Sequence, residues 1–107
     1  MAADRAEAVV CNCGPLIALA AINELSLLSR LFERVYVPTV VYKELTASRR
    51  FAAARGLFNQ PWMDVRDPAS PCDAFLAAEL DAGEAAVITI ARALPNAEAL
   101  IDERKAR

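Results

Sequence analysis

The sequence predicts an α/β fold of three layers, in which a parallel sheet of about four strands carries helices on both faces. Two observations favour this fold. Short β-prone segments alternate with segments of helical periodicity along the chain, and residues 8–11 form a continuous apolar run. A continuous run is typical of a strand that is buried on both faces, and strand–helix alternation is typical of a parallel sheet.

Size and composition predict one domain that spans residues 1–107. The chain is 56% hydrophobic and 24% charged, with no apolar run long enough to span a bilayer and no recognisable signal peptide. The three cysteines, Cys11, Cys13 and Cys72, contain no C-x-x-C pair and are interpreted as small hydrophobic side chains in a reducing compartment. We therefore expect a cytoplasmic protein that does not associate with membranes.

The absence of histidine narrows the possible chemistry. Without it, neither a Ser-His-Asp triad, a Cys-His pair nor a His-containing zinc site can form. The net charge of -2 means that bulk electrostatic attraction does not bring nucleic acid to this protein. A polyanionic substrate would need a local basic patch or a bound cation.

The first half of the chain is predicted to hold two strands and several helices. Gly14-Pro15 turns the chain into a helix whose apolar stripe is interrupted at Asn23. A second stripe with helical spacing follows at Leu25, Leu28, Leu31 and Phe32. The remaining segments of this half are a strand at 34–37, a helix opened by Pro38-Thr39 that runs through 45, and a helix at 48–55 closed by Gly56.

The second half is predicted to hold two more strands. Trp62 to Arg66 alternates in hydrophobicity, which is typical of a strand, and Pro95-Asn96 forms a turn before the last strand. The predicted segments are a strand at 62–66, a helix at 71–80 that stops near Gly83, a helix at 84–94 and a strand at 97–101, after which Asp102 begins another helical segment.

Four polar residues lie where this fold places functional groups. In open α/β sheets, ligands bind beyond the carboxyl ends of the strands, and Asn12 and Asp102 follow the first and fourth predicted strands. Glu44 lies four positions after Val40 and three after Val41, so it shares their helix face. Glu84 lies three positions before Val87 and four before Ile88, so it shares a helix face with them in the same way. An acid on an apolar helix face is costly unless another group compensates it.

A cluster of such acids predicts a metal site. Neighbouring carboxylates repel each other, and a divalent cation bound between them compensates this repulsion because it attracts each carboxylate. Mg²⁺ and Mn²⁺ prefer oxygen ligands, and a bound ion lowers the pKa of its water and neutralises charge at a scissile phosphate.

Each residue also has a purely structural interpretation. Glu84 can complement the dipole of its helix, and Asp102 can be an ordinary N-cap. Glu44 can lie on a partly exposed edge, and Asn12 can satisfy backbone groups in a turn. If all these interpretations held, the chain would be a plain α/β domain with its acids far apart.

Four segments of the sequence resemble the PIN-domain family, especially its small prokaryotic toxin-like branch. They are VVCNCGPLIALAAINELSLLSRLF at 9–32, VYVPTVVYKEL at 35–45, LDAGEAAVITIA at 80–91 and ALIDERKAR at 99–107. The resemblance implies a PIN-like fold and a metal-dependent endoribonuclease with Mg²⁺ or Mn²⁺ as cofactor and RNA as substrate. It also implies the toxin of a toxin–antitoxin pair, an antitoxin protein as partner, and a homodimer.

The same resemblance assigns the site residues. The family's four acidic positions fall on Asn12, Glu44, Glu84 and Asp102, which become the expected metal ligands and catalytic residues, and the small hydroxyl residue that often follows the first acid matches Cys13 or Gly14. Asn12 departs from the family's aspartate, although its carbonyl oxygen can still bind a metal. The chain also ends at Arg107, where the family continues with a further helix and strand. Both departures favour an alternative, a catalytically impaired PIN-like module for binding or dimerisation.

Three further groups of residues could contact RNA or a second subunit. Two basic groups could hold RNA phosphates, although a charged run is usually a solvated face; they are Arg49, Arg50 and Arg55, and Arg104, Lys105 and Arg107. Three aromatic side chains could stack bases, although we expect them to pack in the core; they are Phe51, Phe58 and Trp62. The apolar stripe from Leu25 to Phe32 is the expected homodimer face.

Overall fold

The computed structural model describes residues 6–101 and has the predicted α/β fold. Four strands form one sheet in the order β3-β2-β1-β4, and every neighbouring pair is parallel. The elements are β1 (Ala6–Cys11), α1 (Cys13–Ala21), α2 (Leu27–Leu31), β2 (Phe32–Pro38), α3 (Thr39–Ala47), a 3₁₀ helix (Arg49–Asn59), β3 (Met63–Arg66), α4 (Ala74–Glu79), α5 (Ala82–Ala93) and β4 (Ala97–Leu100).

Several predicted boundaries were wrong. Gly83 does not end a helix, because it is the second residue of α5, and the helix predicted from Pro71 begins only at Ala74. The segment after α3 is a 3₁₀ helix that continues through Gly56 to Asn59. Phe32 begins β2 and is not part of the preceding helix. At Gly56 and Gly83, a glycine was interpreted as a helix stop although the neighbouring residues continue the helix.

Asparagine tolerates the left-handed backbone and lies at two turns, of which the one at Pro95-Asn96 was predicted. Asn23, where the first apolar stripe is interrupted, follows the C-cap of α1 with φ 57°, and its backbone N–H donates to the Ala20 carbonyl at 3.0 Å. Asn96 has φ 57° as well and precedes β4. Its side-chain amide donates to Glu7 Oε2 at 2.7 Å, which ties the turn to the start of β1.

The sheet is covered on both faces, as the continuous apolar run predicted. On one face the larger core includes Val9, Leu16, Val35 and Phe51, contributed by the sheet, α1 and the 3₁₀ helix. On the other face α5 packs on the sheet through a smaller cluster of Val10, Tyr36, Val87 and Ile90. Consecutive residues of β1 point to opposite faces, so Val9 and Val10 belong to different layers.

The strand order creates a switch point between β1 and β4. From β1 the chain moves in one direction through β2 to β3, and it then returns across the sheet to place β4 on the other side of β1. Crevices form at the carboxyl ends of strands where the direction of winding reverses. The carboxyl ends of β1 and β4 therefore flank the expected binding position. Within residues 6–101, no helix is long and apolar enough to cross a membrane.

Candidate functional site

Asn12 lies at the switch point. It is the N-cap residue of α1 directly after β1, and only 8% of its surface is exposed. Its backbone N–H donates to the Leu100 carbonyl at 3.0 Å, which joins the ends of β1 and β4. Its side chain makes no capping hydrogen bond to α1. The side chain of Asn12 is therefore not explained by the capping of this turn.

A capping box fixes the start of α5 and the position of Glu84. Asp81 Oδ1 accepts a hydrogen bond from the Glu84 backbone N–H at 2.8 Å, and the Asp81 backbone N–H donates to Glu84 Oε1 at 3.2 Å. This reciprocal pair satisfies two backbone donors at the helix terminus. Glu84 is only 3% exposed and shares the buried face of α5 with Val87, as the spacing predicted.

The second carboxylate oxygen of Glu84 has no such partner. Oε2 is buried, and no residue in the range 6–101 forms a hydrogen bond with it. A buried polar atom without a partner costs about 1–3 kcal/mol, and more when it is charged. The dipole interpretation of Glu84 accounts for its place in the first helical turn but not for this oxygen.

Gly83 allows the start of α5 to approach the end of β1. A Cβ atom at this position would lie 2.8 Å from Asn12 Oδ1 and 3.3 Å from Val41 Cγ2. Gly83 therefore brings α5 into contact with both Asn12 and the first turn of α3. The residue next to it is Glu84, so two of the four predicted site residues lie at one junction.

Glu44 lies on α3 with an exposed side chain, whereas Val41 and Leu45 are fully buried. The prediction that Glu44 shares the buried apolar face was therefore wrong, and the alternative of an exposed position describes it better. Glu44 is three positions after Val41 in the chain, so it lies about one helical turn away from the contact between α3 and Gly83.

The fourth predicted residue, Asp102, lies outside the described residues, as do Arg104, Lys105 and Arg107. Among residues 6–101, no group of three or more His, Cys, Asp or Glu side chains is arranged to hold a metal ion. Asn12 and Glu84 are the two predicted site residues that the structure brings to this junction.

Two residues of this junction, Asp81 and Gly83, were missed in the sequence. The run Asp81-Ala82-Gly83-Glu84 has the spacing of a capping box, a signal that would have placed the start of α5 correctly. The glycine was instead interpreted as a helix stop. The close approach that Gly83 permits depends on tertiary contacts and leaves no local signal.

Phe51, Phe58 and Trp62 pack in the core, as expected. Phe51 is fully buried, and its ring centroid lies 5.8 Å from that of Phe58, which also meets Tyr42 edge-on at 4.8 Å. Trp62 packs against the same core and also lines an open cavity of about 450 Å³ beside α2. Arg49 is exposed on the 3₁₀ helix, whereas the side chains of Arg50 and Arg55 lie outside the described part of the structure.

Among residues 6–101 the three cysteines form no disulfide. Cys11 is fully buried in β1, as predicted, whereas Cys13 and Cys72 are only partly buried. Burial raises the pKa of the Cys11 thiol from 9.0 to about 12, because the low-dielectric core disfavours the thiolate. A thiol with a raised pKa is a poor nucleophile, so Cys11 is a packing residue and not a reactive one.

The predicted dimer stripe is largely part of the core. Leu28 is buried, and Leu25 and Phe32 pack against the larger core cluster. Leu31 is 50% exposed, and Ile22 at the end of α1 is 65% exposed. Any contact with a second subunit here would depend on Leu31 and Ile22.

Comparison with known proteins agrees with this architecture. The model of the family DUF3368, described as a PIN domain, matches residues 8–107. The match includes most of β1, all of the other three strands, the junction of Asn12 with α5, and the segment that contains Asp102. No curated protein and no solved structure matches the chain.

Proposed function

This chain belongs to the PIN-domain family, and from that premise we propose that it is a metal-dependent endoribonuclease that acts as the toxin of a toxin–antitoxin pair. PIN domains are in general nucleases, which supports an enzymatic role. The proposed substrate is RNA, and the proposed cofactor is Mg²⁺ or Mn²⁺.

The observation that carries the proposal is the buried Oε2 atom of Glu84, which has no partner among residues 6–101. The same carboxylate is fixed through Oε1 by the backbone of Asp81, so it cannot easily turn toward solvent. A divalent cation would compensate this oxygen. The position also agrees with the rule that ligands bind at the carboxyl ends of the strands.

The available donors suit a hard cation. We propose that Glu84, Asp102 and Glu44 hold the metal directly or through water and that Asn12 contributes its amide oxygen, a set made only of oxygen ligands. When bound, the metal would supply an activated water and neutralise negative charge at the scissile phosphate. Asn12 in place of an acid removes one negative charge from this set, which predicts weaker metal binding.

The residues of the chain position these ligands. The capping box holds the Glu84 carboxylate in one orientation, and Gly83 leaves room for the Asn12 amide at the start of α5. Both ligands are buried, so little rearrangement would accompany binding. Glu44 is exposed and could approach from α3, the helix that contacts α5 at Val41.

A thermal titration tests the metal site. Mg²⁺ or Mn²⁺ should raise the melting temperature of the protein, since a ligand that binds only the native state stabilises it by about 2.7 kcal/mol at 100 times its Kd. Glu84→Gln and Asp102→Ala should abolish this increase. Glu79→Gln removes an exposed acid from α4 and should leave the increase unchanged. If all four proteins responded to metal equally, the Glu84 site would be excluded.

An RNA cleavage assay tests the activity. The wild-type protein should cleave single-stranded RNA only in the presence of Mg²⁺ or Mn²⁺, and Glu84→Gln should reduce the rate by at least about 100-fold if the metal stabilises the charge of the transition state. Glu79→Gln should cleave as the wild type does. Cleavage that persists in EDTA, or in the Glu84→Gln variant, would contradict the mechanism.

Asn12 favours a second candidate function, a PIN-like module that binds RNA or protein without cleaving it. Asn12→Asp distinguishes the two. If this change creates metal-dependent cleavage that the wild-type protein lacks, the binding module is the correct assignment. If the wild-type protein already cleaves RNA, the binding module is excluded, and Asn12→Asp should lower the metal concentration that is needed.

We further propose an antitoxin partner, a cytoplasmic location and a homodimer that uses the exposed side chains of Ile22 and Leu31. The dimer is tested by light scattering on the purified protein. The double change Ile22→Lys and Leu31→Lys should convert a dimer into a monomer. Because both side chains are exposed in the single chain, the double change should not itself destabilise the fold of that chain. A wild-type monomer at all concentrations would exclude the dimer.

A further inference from the structure

A charged and aromatic cluster lies on the sheet beside α5. Arg66, the last residue of β3, donates to both carboxylate oxygens of Asp64, through Nη2 at 2.9 Å and through Nε at 3.4 Å. Its guanidinium carbon lies 4.6 Å from the centre of the Tyr36 ring. Tyr36 belongs to the cluster that packs under α5, so Arg66 lies on the same face of the sheet as α5 and Glu84.

The strand register places Arg66 at the same edge as the candidate site. Arg66 pairs with Pro38 on β2. Extending the pairing of Val10 with Tyr36 by two residues brings Asn12 level with Pro38. Asn12, Pro38 and Arg66 therefore form one row across three strands. Because neighbouring strands lie about 4.8 Å apart, the backbones of Asn12 and Arg66 are separated by roughly 10 Å.

We propose that Arg66 is a substrate-positioning residue that binds an RNA phosphate next to the scissile one. The inference rests on the proposed nuclease function and adds to it the contact that orients the strand. An acidic protein with a net charge of -2 needs local cations to hold a polyanion, and Arg66 supplies one beside the acidic residues. The metal held by Glu84 and Asn12 would contact the scissile phosphate, whereas Arg66 would hold a neighbouring phosphate.

The contacts of Arg66 preorganise its guanidinium for this role. Asp64 engages Nε and Nη2, and within residues 6–101 no partner is bound to Nη1, which can donate to a phosphate oxygen. The side chain is 42% exposed and is therefore accessible to a substrate. The Tyr36 ring supports the guanidinium plane from one side. A guanidinium that is already ordered loses less entropy when it binds a ligand.

Arg34 provides a matched control. It is also exposed, its Nη2 lies 3.8 Å from Asp64 Oδ2, and it is on the same face of β2 as Tyr36. It pairs with Ala8, however, and so lies four residues before Pro38, about 13 Å from the row of Asn12 and Arg66. Arg34 also donates to the Pro61 carbonyl at 3.1 Å. The two arginines thus share a carboxylate and differ in their distance from the site.

The test compares wild type, Arg66→Gln, Arg66→Lys and Arg34→Gln on a random-sequence pool of fluorescent single-stranded oligoribonucleotides. Cleavage with Mn²⁺ gives apparent KM and kcat, and anisotropy in EDTA gives Kd as a function of salt. Arg66→Gln should raise KM and Kd about tenfold with kcat within about twofold, because a charge-assisted contact is lost. The slope of log Kd against log salt should fall by about 0.7, the value for one phosphate contact on a single strand.

Arg66→Lys and Arg34→Gln test whether an effect on RNA binding comes from the position and shape of the Arg66 side chain. Arg66→Lys should recover part of the affinity and the full salt slope, since it keeps the charge but loses the planar fork. Arg34→Gln should match the wild type. Equal effects of Arg66→Gln and Arg34→Gln would overturn the proposal, because they would indicate a general effect of net charge. An unchanged salt slope in Arg66→Gln, whatever its stability, would overturn it as well.

Two outcomes distinguish a failure of the proposed nuclease function from a failure of the proposed role of Arg66. If the wild-type protein neither cleaves nor binds the RNA pool, the proposed function is wrong and the role of Arg66 fails with it. If the wild-type protein cleaves RNA and Arg66→Gln cleaves it with the same KM, the role of Arg66 alone is refuted.

Discussion

Replacing Gly83 with alanine adds one methyl group at the junction of β1, α3 and α5. The added Cβ would lie 2.8 Å from Asn12 Oδ1 and 3.3 Å from Val41 Cγ2. Neither neighbour moves freely. Val41 is fully buried and has a β-branched side chain with restricted χ1, and Asn12 is almost completely buried. The methyl group must therefore displace the Asn12 amide, the Val41 side chain or the start of α5.

Two opposing effects determine how much Gly83→Ala changes the free energy of unfolding. Alanine is favoured over glycine inside a helix by up to about 1 kcal/mol, which stabilises the variant. Overpacking of a close-packed site costs about 1–3 kcal/mol. We expect the overpacking to dominate and to lower the free energy of unfolding by about 1 kcal/mol, since the first helical turn gains less than the interior from propensity. For a domain of this size the melting temperature should fall by about 4–8 °C.

The assay is urea unfolding of wild type and variants, followed by circular dichroism. Gly56→Ala is the matched control, because a Cβ at Gly56 meets no atom within 4 Å. Its backbone has no positive φ, so alanine there should be neutral or slightly stabilising. In addition, Asn12→Ala should cost less in the Gly83→Ala background than in the wild type, because it removes the atom that the methyl group contacts.

Equal stability of Gly83→Ala and Gly56→Ala would refute this reasoning. It would mean that the junction accepts a methyl group without strain and that Gly83 is not required for the approach of α5 to Asn12. Additive effects of Gly83→Ala and Asn12→Ala would refute the narrower statement that the Asn12 amide is the obstacle.

Three further predictions concern the capping box, the buried thiol and the α5 core. Asp81→Ala should lower the free energy of unfolding in urea by about 1 kcal/mol through loss of the cap, and Asp73→Ala should cost less because α4 has no buried side chain. Burial raises the pKa of Cys11 to about 12, so above pH 9 the unfolded chain releases a proton that the folded protein keeps. Stability should therefore fall with a slope of about 1.4 kcal/mol per pH unit above pH 9, and this component should disappear in Cys11→Val. Val87→Ala removes two methyl groups from a fully buried position on α5 and should cost about 2 kcal/mol, which chemical denaturation would measure.

The order of strands and helices could be predicted from local patterns. Residues 8–11 are apolar without alternation because β1 is central and covered on both faces, and this feature, together with the alternation of strands and helices, indicated a parallel sheet. The buried position of Glu84 followed from its spacing to Val87. These predictions succeeded because side-chain periodicity reflects the geometry of an isolated strand or helix.

The same local reasoning failed for Glu44 and Gly83. The spacing of Glu44 to Val40 and Val41 is compatible with a buried face, but α3 turns Val41 and Leu45 inward and leaves Glu44 exposed. The direction of a helix face depends on the elements that pack against it. Glycine is a residue type that often ends helices, yet Gly83 lies inside the first turn of α5.

The sequence by itself determined the fold class, the buried β1 and the segments that carry the four candidate ligands, because these depend on interactions between residues that are near one another in the chain. Only the tertiary structure decided that Asn12, Gly83 and Val41 meet at one junction and that Arg66 lies in the same row as Asn12. These contacts join residues that are distant in sequence. They arise from the strand order and from the packing of α5 on the sheet, and neither leaves a periodic signal in the chain.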